Sequence, residues 1–542
     1  MADESPSRSP SAAPPGYRIT DNVYAAMILA QAEAAEEAAS AWVLAQKVSK
    51  GGQEEETEEL PETRAANNAA AAGVGLDDDS LELLLGATLP PPAWPTLRIT
   101  AVETLRCGAG FRDFCFVKIS TTARDIVGWS EYLEERSVGV SGCIERLGQR
   151  IVGADPLRRT AIVSRLKADT RHVHGGIAWQ AAAAIENALL DVCGKALGVS
   201  CATLLGGPYR TELPVYWSHC GTFRVQNHEH LHSPHTGAAC PPLRSLDGVR
   251  ALCQEVKASG HSALKTNIFH FSLDPYTGQR EGRVYMPGFG CGMYGGRGSP
   301  ELSLGRDHTL VPRLVEQMRV FRQACGDEIG LRLDLDYNFK TEGFSQIASA
   351  LTPKALGGRG LDWLELDLNS PQGLRYVRER APMPIASLES IMGRKALLPY
   401  LQAEAVDICI IDPLWNGVDE ACRMASLCDT FDVNVSARNG HGWLGTAISA
   451  HFCAAIPNFL ALEVDVDDVP WKDEIVIGAP PRLENGVFHL PKGPGWGVEI
   501  DEAALRRHPP LGDPERRAAS GAAREESSAG GRREINKQDE GR

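Results

Sequence analysis

The chain has 542 residues, a length typical of two or three domains, and its 43% hydrophobic and 23% charged residues match a soluble globular protein. Its 55 Lys and Arg residues stand against 70 Asp and Glu residues, and the formal charge of −15 excludes nucleic acid as a main partner, because a phosphate backbone requires a basic surface. There is no CxxC pair among the 14 cysteines, no run of about 18 apolar residues and no secretory leader pattern, so we expect reduced thiols, no membrane span and a cytoplasmic protein.

The two ends of the chain differ in composition from its middle. Residues 1–95 pass from Ser, Pro and Ala through an Ala-rich and an acidic stretch to a Pro-rich one, and residues 508–542 contain almost no apolar residues. Neither end has the apolar periodicity that a core requires, so we predict that both are largely disordered.

Three short apolar runs followed by a helical pattern predict a small α+β domain over residues 96–210. The runs are RITAVETLR, DFCFVKIST and VGWSEY, and the helical pattern ends in AIENALLDVCGKALG. In this last segment Ile185, Leu189, Leu190 and Val192 recur at helical spacing, which predicts a helix with one face in the core.

From residue 211 onward, short apolar strands alternate with helical stretches. We count eight strands, which begin at about residues 214, 263, 329, 363, 384, 406, 433 and 461. This rhythm predicts a (β/α)8-type barrel over residues 211–470. A doubly wound open sheet is the alternative, but no GxGxxG fingerprint follows a first strand. Residues 471–507, with their Pro/Gly turns, are expected to return to the first domain.

Ionisable residues stand at the ends of seven consecutive predicted strands, where barrels of this kind carry their active sites. In strand order they are Lys265, Asp334 with Asp336, Glu365, Glu389, Asp412, Arg438 and Glu463. An unpaired buried charge is costly, so this many charges at one rim indicate a function.

Three of these carboxylates predict a metal site. Asp334, Glu365 and Glu389 follow neighbouring strands and would repel one another in a site of low dielectric unless a cation neutralised them. Oxygen ligands with open positions suit Mg²⁺. Asp336 competes with Asp334 for the first ligand position.

The order and spacing of several motifs make residues 96–505 resemble the mandelate racemase and muconate lactonizing enzyme subgroup of the enolase superfamily. The motifs are GWSEY (128–132), AIENALLDVCGKALGV (184–199), LLGGPYR (204–210), LDLD (333–336), WLE (363–365), SLES (387–390), IIDPLWNG (410–417) and AISAHFCAAIPN (447–458). The resemblance implies an N-terminal α+β capping domain on a modified TIM-type (β/α)7β barrel. It also implies Mg²⁺ on the carboxylates of strands three, four and five, and a carboxylate substrate, often a sugar acid.

Two positions depart from the pattern of the resembled family. In KTN (265–267), Asn267 stands where the family often has a second lysine as the base, and Arg438 stands about where a histidine would pair with Asp412. An arginine is always protonated, so Arg438 is a poor base but a suitable clamp for an anion or a hydroxyl. The base is therefore open between Lys265, whose pKa Mg²⁺ and desolvation would have to lower, and a pair formed by His441 and Asp412.

Together these features predict a Mg²⁺-dependent hydro-lyase that removes the α-proton of a hydroxylated carboxylate such as an aldonate, with His441 as a candidate acid for the departing hydroxyl. Asn267, Asp336, Glu463 and Arg112 are expected to contact the substrate, and the glycine-rich segment 271–305 is expected to form a lid. A homo-oligomer is expected.

Other activities remain open at this point. Racemisation needs two bases on opposite faces of the substrate, and the sequence shows at most one clear base, so a racemase or epimerase ranks after a dehydratase. A cycloisomerase needs fewer groups. The loss of both usual bases also allows a metal-binding but catalytically impaired scaffold.

Overall fold

The computed structural model describes residues 97–134, 137–173, 175–273, 280–284 and 309–510. Both predicted disordered ends lie outside the described residues, except for a few residues at their borders, and so does most of the predicted lid. Within the described ranges, no helix has the length and apolar character needed to cross a membrane. The cysteines in these ranges are free thiols.

The N-terminal part of the described chain is an antiparallel sheet packed against helices, as predicted. The sheet follows the order β1 (Ile99–Ala109), β2 (Arg112–Thr121) and β3 (Val127–Tyr132). The helices are α1 (Val140–Gly148), α2 (Arg159–Asp169), α3 (Gly176–Leu197) and α4 (Cys201–Leu204), with short 3₁₀ turns at Pro156–Arg158 and Arg171–Val173.

The long helix α3 is the centre of this unit. The four apolar residues that predicted a helix here, Ile185, Leu189, Leu190 and Val192, are all buried. Strand β3 crosses the helix at Gly128, where a Cβ atom would lie 2.2 Å from the carbonyl oxygen of Ala188. Only glycine allows so close an approach, so this residue fixes the contact between sheet and helix.

Eight parallel strands in the described part of the chain close into a barrel, as the sequence predicts. In chain order the strands, with one inserted hairpin (β6 and β7), are β4 (Glu212–Ser218), β5 (Ala263–Thr266), β6 (Phe269–Leu273), β7 (Arg280–Val284), β8 (Gly330–Asp334), β9 (Trp363–Glu365), β10 (Ile385–Ser387), β11 (Ile408–Ile411), β12 (Asn434–Ala437) and β13 (Phe459–Asp465). The barrel order is β4-β5-β8-β9-β10-β11-β12-β13, and the pairing of β13 with β4 closes it. The open-sheet alternative is therefore excluded.

Helices follow the barrel strands, and a last short helix in the C-terminal segment contacts β1 of the capping unit. They are α5 (Thr222–Gln226), α6 (Leu246–Ala258), α7 (Leu310–Cys325), α8 (Thr341–Ala350), α9 (Pro353–Leu356), α10 (Pro371–Arg378), α11 (Arg394–Gln402), α12 (Pro413–Asn416), α13 (Val418–Thr430), α14 (Trp443–Ala455) and α15 (Glu502–Arg507). Short 3₁₀ turns occur at His228–His230 and Lys472–Ile475, and a hairpin of β14 (Leu483–Glu484) and β15 (Val487–His489) pairs with the start of β4.

A buried layer of side chains from the barrel strands contains two aromatic rings, those of Tyr216 and Trp363. The Arg332 guanidinium lies 3.6 Å from the ring centre of Trp363 and 4.3 Å from that of Tyr216. Burial lowers the pKa of Arg332 to about 10, and the π faces of the two rings stabilise its charge. Lys265, 5.6 Å from the Tyr216 ring, extends from this layer toward the carboxyl ends of the strands.

The C-terminal segment joins the capping unit to the barrel. The Trp496 indole donates a hydrogen bond to the carbonyl of Trp129 at 3.1 Å, and its backbone N–H donates to Asp191 at 2.9 Å. Asp191 also accepts the backbone N–H of Trp129 at 2.8 Å. One buried carboxylate on α3 thus holds both the C-terminal segment and β3, the strand that carries the GWSEY motif.

Candidate active site

Lys265 is the centre of the charged cluster at the carboxyl ends of the strands. Its ammonium lies 2.9 Å from Glu463, 3.0 Å from Glu365 and 3.2 Å from Asp334, and only 2% of the residue is exposed. Burial alone would lower the pKa of Lys265, but the carboxylates of Glu365 and Glu463 outweigh burial and hold it well above its ordinary value. In this arrangement Lys265 is an ammonium, and the lowered pKa that a base requires is not present.

The candidate metal ligands follow three neighbouring strands. Asp334 and Glu365 lie directly opposite each other in the register of β8 and β9. Burial, with the neighbouring Asp334, Glu463 and Glu389 carboxylates, raises the pKa of Glu365 well above its ordinary value despite Lys265. These carboxylates are therefore close enough to repel one another.

Glu389 is presented by a strained turn at the end of β10. Leu388, which precedes it, has a left-handed backbone with φ +87°, an unfavourable conformation for a leucine. The carboxylate of Asp367 accepts a hydrogen bond from the Leu388 N–H and another from the Ser387 hydroxyl, both at 3.1 Å. Asp367 therefore stabilises the backbone that aims Glu389. Our sequence analysis missed this residue, although Asp367 lies two positions after Glu365 and so on the same side of an extended strand.

Left-handed backbone recurs around this rim. Of the six non-glycine residues with positive φ in the described ranges, three follow the ends of barrel strands: His219, Asp336 and Leu388. Backbone strain of this kind tends to collect at functional sites, where the surrounding structure enforces it.

The structure pairs Asp412 with Arg438. The Arg438 guanidinium lies 3.0 Å from the Asp412 carboxylate and 3.8 Å from that of Glu389. Asp412 also accepts the backbone N–H groups of Leu414 and Trp415, at 2.8 and 3.0 Å, and so caps the short helix α12. Burial raises the pKa of Asp412 to about 6 even though Arg438 opposes the shift. Arg438 thus faces a candidate metal ligand on one side and Asp412 on the other.

His441 lies against the capping unit. Its Nδ1 atom is 3.7 Å from the Glu131 carboxylate, and Glu131 accepts hydrogen bonds from the backbone of Gly442 and Gly445 at 2.6 and 2.8 Å. Glu131, the acidic residue of GWSEY, therefore caps the first turn of α14, where a negative charge is favourable. Glu131 is therefore a neighbour of His441 from the capping unit.

The buried Glu131 should make the stability of the fold depend on pH. Burial raises its pKa to about 7, against an ordinary value of 4.5, although the two backbone hydrogen bonds, Arg112 and Lys472 oppose the shift. Between these two values the unfolded chain has lost a proton that the folded protein still holds, so the free energy of unfolding falls as the pH rises. The full shift corresponds to about 3 kcal/mol.

We expect Glu131→Gln to remove this part of the pH dependence, because an amide does not titrate. Urea denaturation at about pH 4.5 and about pH 7.5 measures the difference, with the exposed Glu103→Gln as the control. The readout is the change in the free energy of unfolding between the two pH values, rather than its value at one pH. Identical slopes in Glu131→Gln and the native protein would show that Glu131 is ionised throughout.

Two of the residues expected to contact the substrate form hydrogen bonds to Asp334. The Asn267 amide donates to the backbone carbonyl of Asp334 at 3.1 Å, and its oxygen accepts the Thr222 hydroxyl at 2.8 Å. The backbone N–H of Asp336 donates to the Asp334 carboxylate at 2.9 Å. Asn267 and Asp336 therefore fix the position of Asp334 in this structure.

Glu463 and Arg112 bind charged neighbours. Glu463, next to Lys265, also accepts hydrogen bonds from the Ser218 hydroxyl and from the backbone N–H of Asn439. The buried Arg112 guanidinium, on β2, lies 3.0 Å from Asp465 and 2.9 Å from Asp468. Arg112 thus joins the capping unit to the segment around the end of β13.

A histidine and an aspartate that sequence analysis missed lie at the ends of β4 and β13. The Nδ1 atom of His219 is 2.7 Å from the carboxylate of Asp465, and the same carboxylate binds Arg112. His219 directly follows the predicted strand PVYWS, and Asp465 lies two residues after Glu463. Both residues could have been found from the sequence. His219 follows the end of the first predicted strand, and Asp465 lies on the same side of the last strand as Glu463.

The chemistry of the donor set fits a hard divalent cation. Six carboxylates at this rim (Asp334, Glu365, Asp367, Glu389, Asp412 and Glu463) surround two cationic side chains, Lys265 and Arg438, so negative charge is in excess. The described residues nevertheless contain no group of three His, Cys, Asp or Glu side chains already arranged as a metal site. In the structure the Lys265 ammonium bridges Asp334 and Glu365, so a cation would compete with it for these oxygens.

Family models match both parts of the described chain. The model for the mandelate racemase / muconate lactonizing enzyme N-terminal domain matches residues 96–206, and the enolase C-terminal domain-like model matches residues 248–504. Together they cover the capping unit and most of the barrel.

Curated relatives and solved structures are similar to this chain over most of its length. D-xylonate dehydratase of Haloferax volcanii is 29% identical over 76% of this chain and 88% of its own length, and D-galactonate dehydratase of Ralstonia nicotianae is 26% identical over 79% and 100%. A crystal structure from Burkholderia xenovorans strain LB400, described as a candidate L-alanine-DL-glutamate epimerase bound to magnesium and fumarate, is 37% identical with a TM-score of 0.69. It covers 77% of this chain and 97% of that one.

Proposed function

This chain belongs to the mandelate racemase and muconate lactonizing enzyme family of the enolase superfamily, and from that membership we propose that it is a Mg²⁺-dependent sugar-acid dehydratase. The substrate is a hydroxylated carboxylate such as an aldonate, and the product is the 2-keto-3-deoxy acid. Two relatives named as sugar-acid dehydratases support the reaction class.

The observation that carries the proposal is the cluster around Lys265. A buried ammonium within 3.2 Å of carboxylates on three different strands places positive charge in the middle of an anionic rim. Such a group can stabilise the negative charge that a carboxylate gains as its α-proton is removed. The cluster lies at the barrel end where catalysis is expected.

Asp334, Glu365 and Glu389 are the residues proposed to hold the metal. When bound there, Mg²⁺ would supply Lewis-acid charge to a substrate carboxylate. The protein holds this donor set in place through groups around it: Asn267 and the Asp336 N–H fix Asp334, and Asp367 fixes the turn before Glu389.

The remaining charged groups orient the substrate and handle protons. Arg438, held by Asp412, clamps an anionic or hydroxyl group on the side of Glu389. For the α-proton, Lys265 remains the first candidate base and His441 the second. A base role for Lys265 requires that substrate binding separate it from at least one of its carboxylates.

An isomerase is the alternative with a specific observation in its favour. The solved structure that is 37% identical to this chain is described as a candidate epimerase, and an epimerase also begins by removing an α-proton. The two reactions diverge after this shared step, because an epimerase returns a proton to the α-carbon and keeps the hydroxyl.

Product analysis separates these reactions. The protein is incubated with Mg²⁺ and a panel of aldonates and aldarates in D₂O, and the products are identified by NMR. We expect a 2-keto-3-deoxy acid from at least one member. Inverted configuration with deuterium at the α-carbon and no loss of water would favour the isomerase. Neither exchange nor product with any acid would favour a catalytically impaired scaffold.

A further inference from the structure

The end of β4 carries a histidine whose ring is held in one orientation. His219 Nδ1 lies 2.7 Å from an oxygen of Asp465, and because a carboxylate only accepts, the Nδ1–H donates. The ring stacks on Phe223 with centroids 4.8 Å apart and an interplanar angle of 22°. The backbone of His219 is left-handed, with φ +44°, in a turn closed by the Thr222 N–H on the His219 carbonyl at 2.8 Å.

The capping unit completes this arrangement. Arg112 binds the second oxygen of Asp465 at 3.0 Å, and Phe111 packs on Phe223 with centroids 4.7 Å apart. Burial raises the pKa of Asp465, but His219 and Arg112 outweigh it and hold that pKa well below its ordinary value. Asp465 is therefore an anion, and its contact with Nδ1 fixes the orientation of the His219 ring.

The His219 side chain is partly exposed, just beyond the carboxyl end of β4. In the described ranges, the hydrogen-bond partners of the His219 ring contact its Nδ1 atom, and 15% of the side chain is exposed. Nε2 is therefore the ring nitrogen that a ligand can reach. Asp465 and Glu463 are two residues apart on β13, so their side chains lie on the same side of the strand. Glu463 binds Lys265 at 2.9 Å. One short strand thus connects the histidine pair to the centre of the charged cluster.

The pair lies across the barrel from the candidate metal ligands. In the closed order of strands, β13 is four positions from β9, which makes the two strands diametrically opposite. In the proposed function, a substrate whose carboxylate lies over β8, β9 and β10 can extend its further carbons toward β4 and β13. Those carbons carry the hydroxyl that a dehydratase removes.

We propose that His219, positioned by Asp465 and Arg112, is the general acid that protonates the departing β-hydroxyl. This role rests on the proposed dehydration. It assigns to a strand-one histidine the step for which sequence analysis offered His441. In this assignment His219 is the catalytic residue, and Asp465 and Arg112 are positioning residues.

The step balances without an additional reactant. A base takes the α-proton, the electron pair of that C–H bond forms a carbon–carbon double bond, and the β-carbon–oxygen bond breaks. The Nε2 proton of His219 moves to the departing oxygen, which leaves as water. The resulting enol gains a proton at the β-carbon and loses one from its hydroxyl to give the 2-keto-3-deoxy acid. His219 then regains its proton from solvent.

The test compares a hydroxyl with a leaving group that needs no proton. His219→Asn is the main variant, because asparagine tolerates left-handed backbone and can still bond to Asp465 but does not transfer this proton. We expect it to dehydrate the hydroxy acid about 10²- to 10⁴-fold more slowly and to retain exchange of the α-proton in D₂O. With the 3-deoxy-3-fluoro analogue, from which fluoride departs as an anion, its rate should approach that of the native enzyme.

A second variant and a control make the result decisive. Asp465→Asn should show the same recovery with the fluoro analogue, whereas a purely structural defect would slow both substrates equally. The exposed His172→Asn should match the native enzyme on both. Equal losses on the two substrates, or lost exchange in His219→Asn, would overturn the role of His219 alone. A native enzyme that dehydrates no acid in the panel would contradict the proposed function and this role together.

Discussion

Replacing Lys265 with methionine should abolish dehydration and α-proton exchange together while strengthening metal binding. The ammonium is the positive charge closest to Asp334, Glu365 and Glu463, so its removal takes away either the base or the charge that stabilises the developing enediolate. A loss of about 10²- to 10⁴-fold is typical for a positioned proton-transfer group. The same ammonium competes with a cation for Asp334 and Glu365, so the variant should bind Mg²⁺ more tightly.

Exchange of the α-proton with D₂O is the informative readout, because it isolates proton abstraction from loss of the hydroxyl. His441→Ala is the comparison variant, and we expect it to retain exchange because His441 lies against Glu131. Exchange that persists in Lys265→Met and disappears in His441→Ala would reverse the two assignments. Weaker Mg²⁺ binding in Lys265→Met, measured by isothermal titration calorimetry, would contradict the competition.

Substituting Glu389 with glutamine should remove bound Mg²⁺ and activity while leaving the fold intact. The change replaces one of three proposed anionic ligands with a neutral amide of the same shape. Among the described residues, the ion-pair partner of the partly buried Glu389 side chain is Arg438, at 3.8 Å, so we expect little of the fold to depend on it. Loss of a supporting group around a metal site costs about 10- to 100-fold in affinity, and loss of a direct ligand should cost more.

Elemental analysis of the purified protein measures occupancy, and circular dichroism monitors the fold. Glu379→Gln is the matched control, because Glu379 is an exposed glutamate whose ion pair with Arg375 lies on the surface. Full metal occupancy in Glu389→Gln would show that Glu389 is not a ligand. A lost fold in that variant, with an intact Glu379→Gln, would show a structural role instead.

Local sequence patterns were sufficient to predict which residues lie at the rim of the barrel. Parallel strands in a barrel end at one face, so the apolar runs alone indicated that Lys265, Asp334 and Glu365 lie together, and the structure brings their charged atoms within 3.2 Å of Lys265. The helix α3 was predictable for the same reason, since its buried residues recur at helical spacing.

The pairings that sequence analysis did not find depend on turns and on packing between domains. His219 lies just beyond the end of a strand and reaches Asp465 because its own backbone is left-handed. A strand pattern in the sequence does not predict that turn. The pairing of His441 with Asp412 stays a prediction, which the resemblance suggested because members of that family often pair a histidine near this position with the aspartate. The structure adds Glu131 as a neighbour of His441. Glu131 is 310 residues away in the capping unit, and only the docking of the two units brings them together.

The central claim is that metal-assisted loss of water occurs at this rim, and mass spectrometry of one reaction tests it most directly. A sugar acid from the panel is incubated with the native protein before EDTA treatment, after it, and after Mg²⁺ is restored. We predict a product lighter than the substrate by one water in the first and third samples and none in the second. An unchanged mass in all three, or full water loss in EDTA, would contradict the claim.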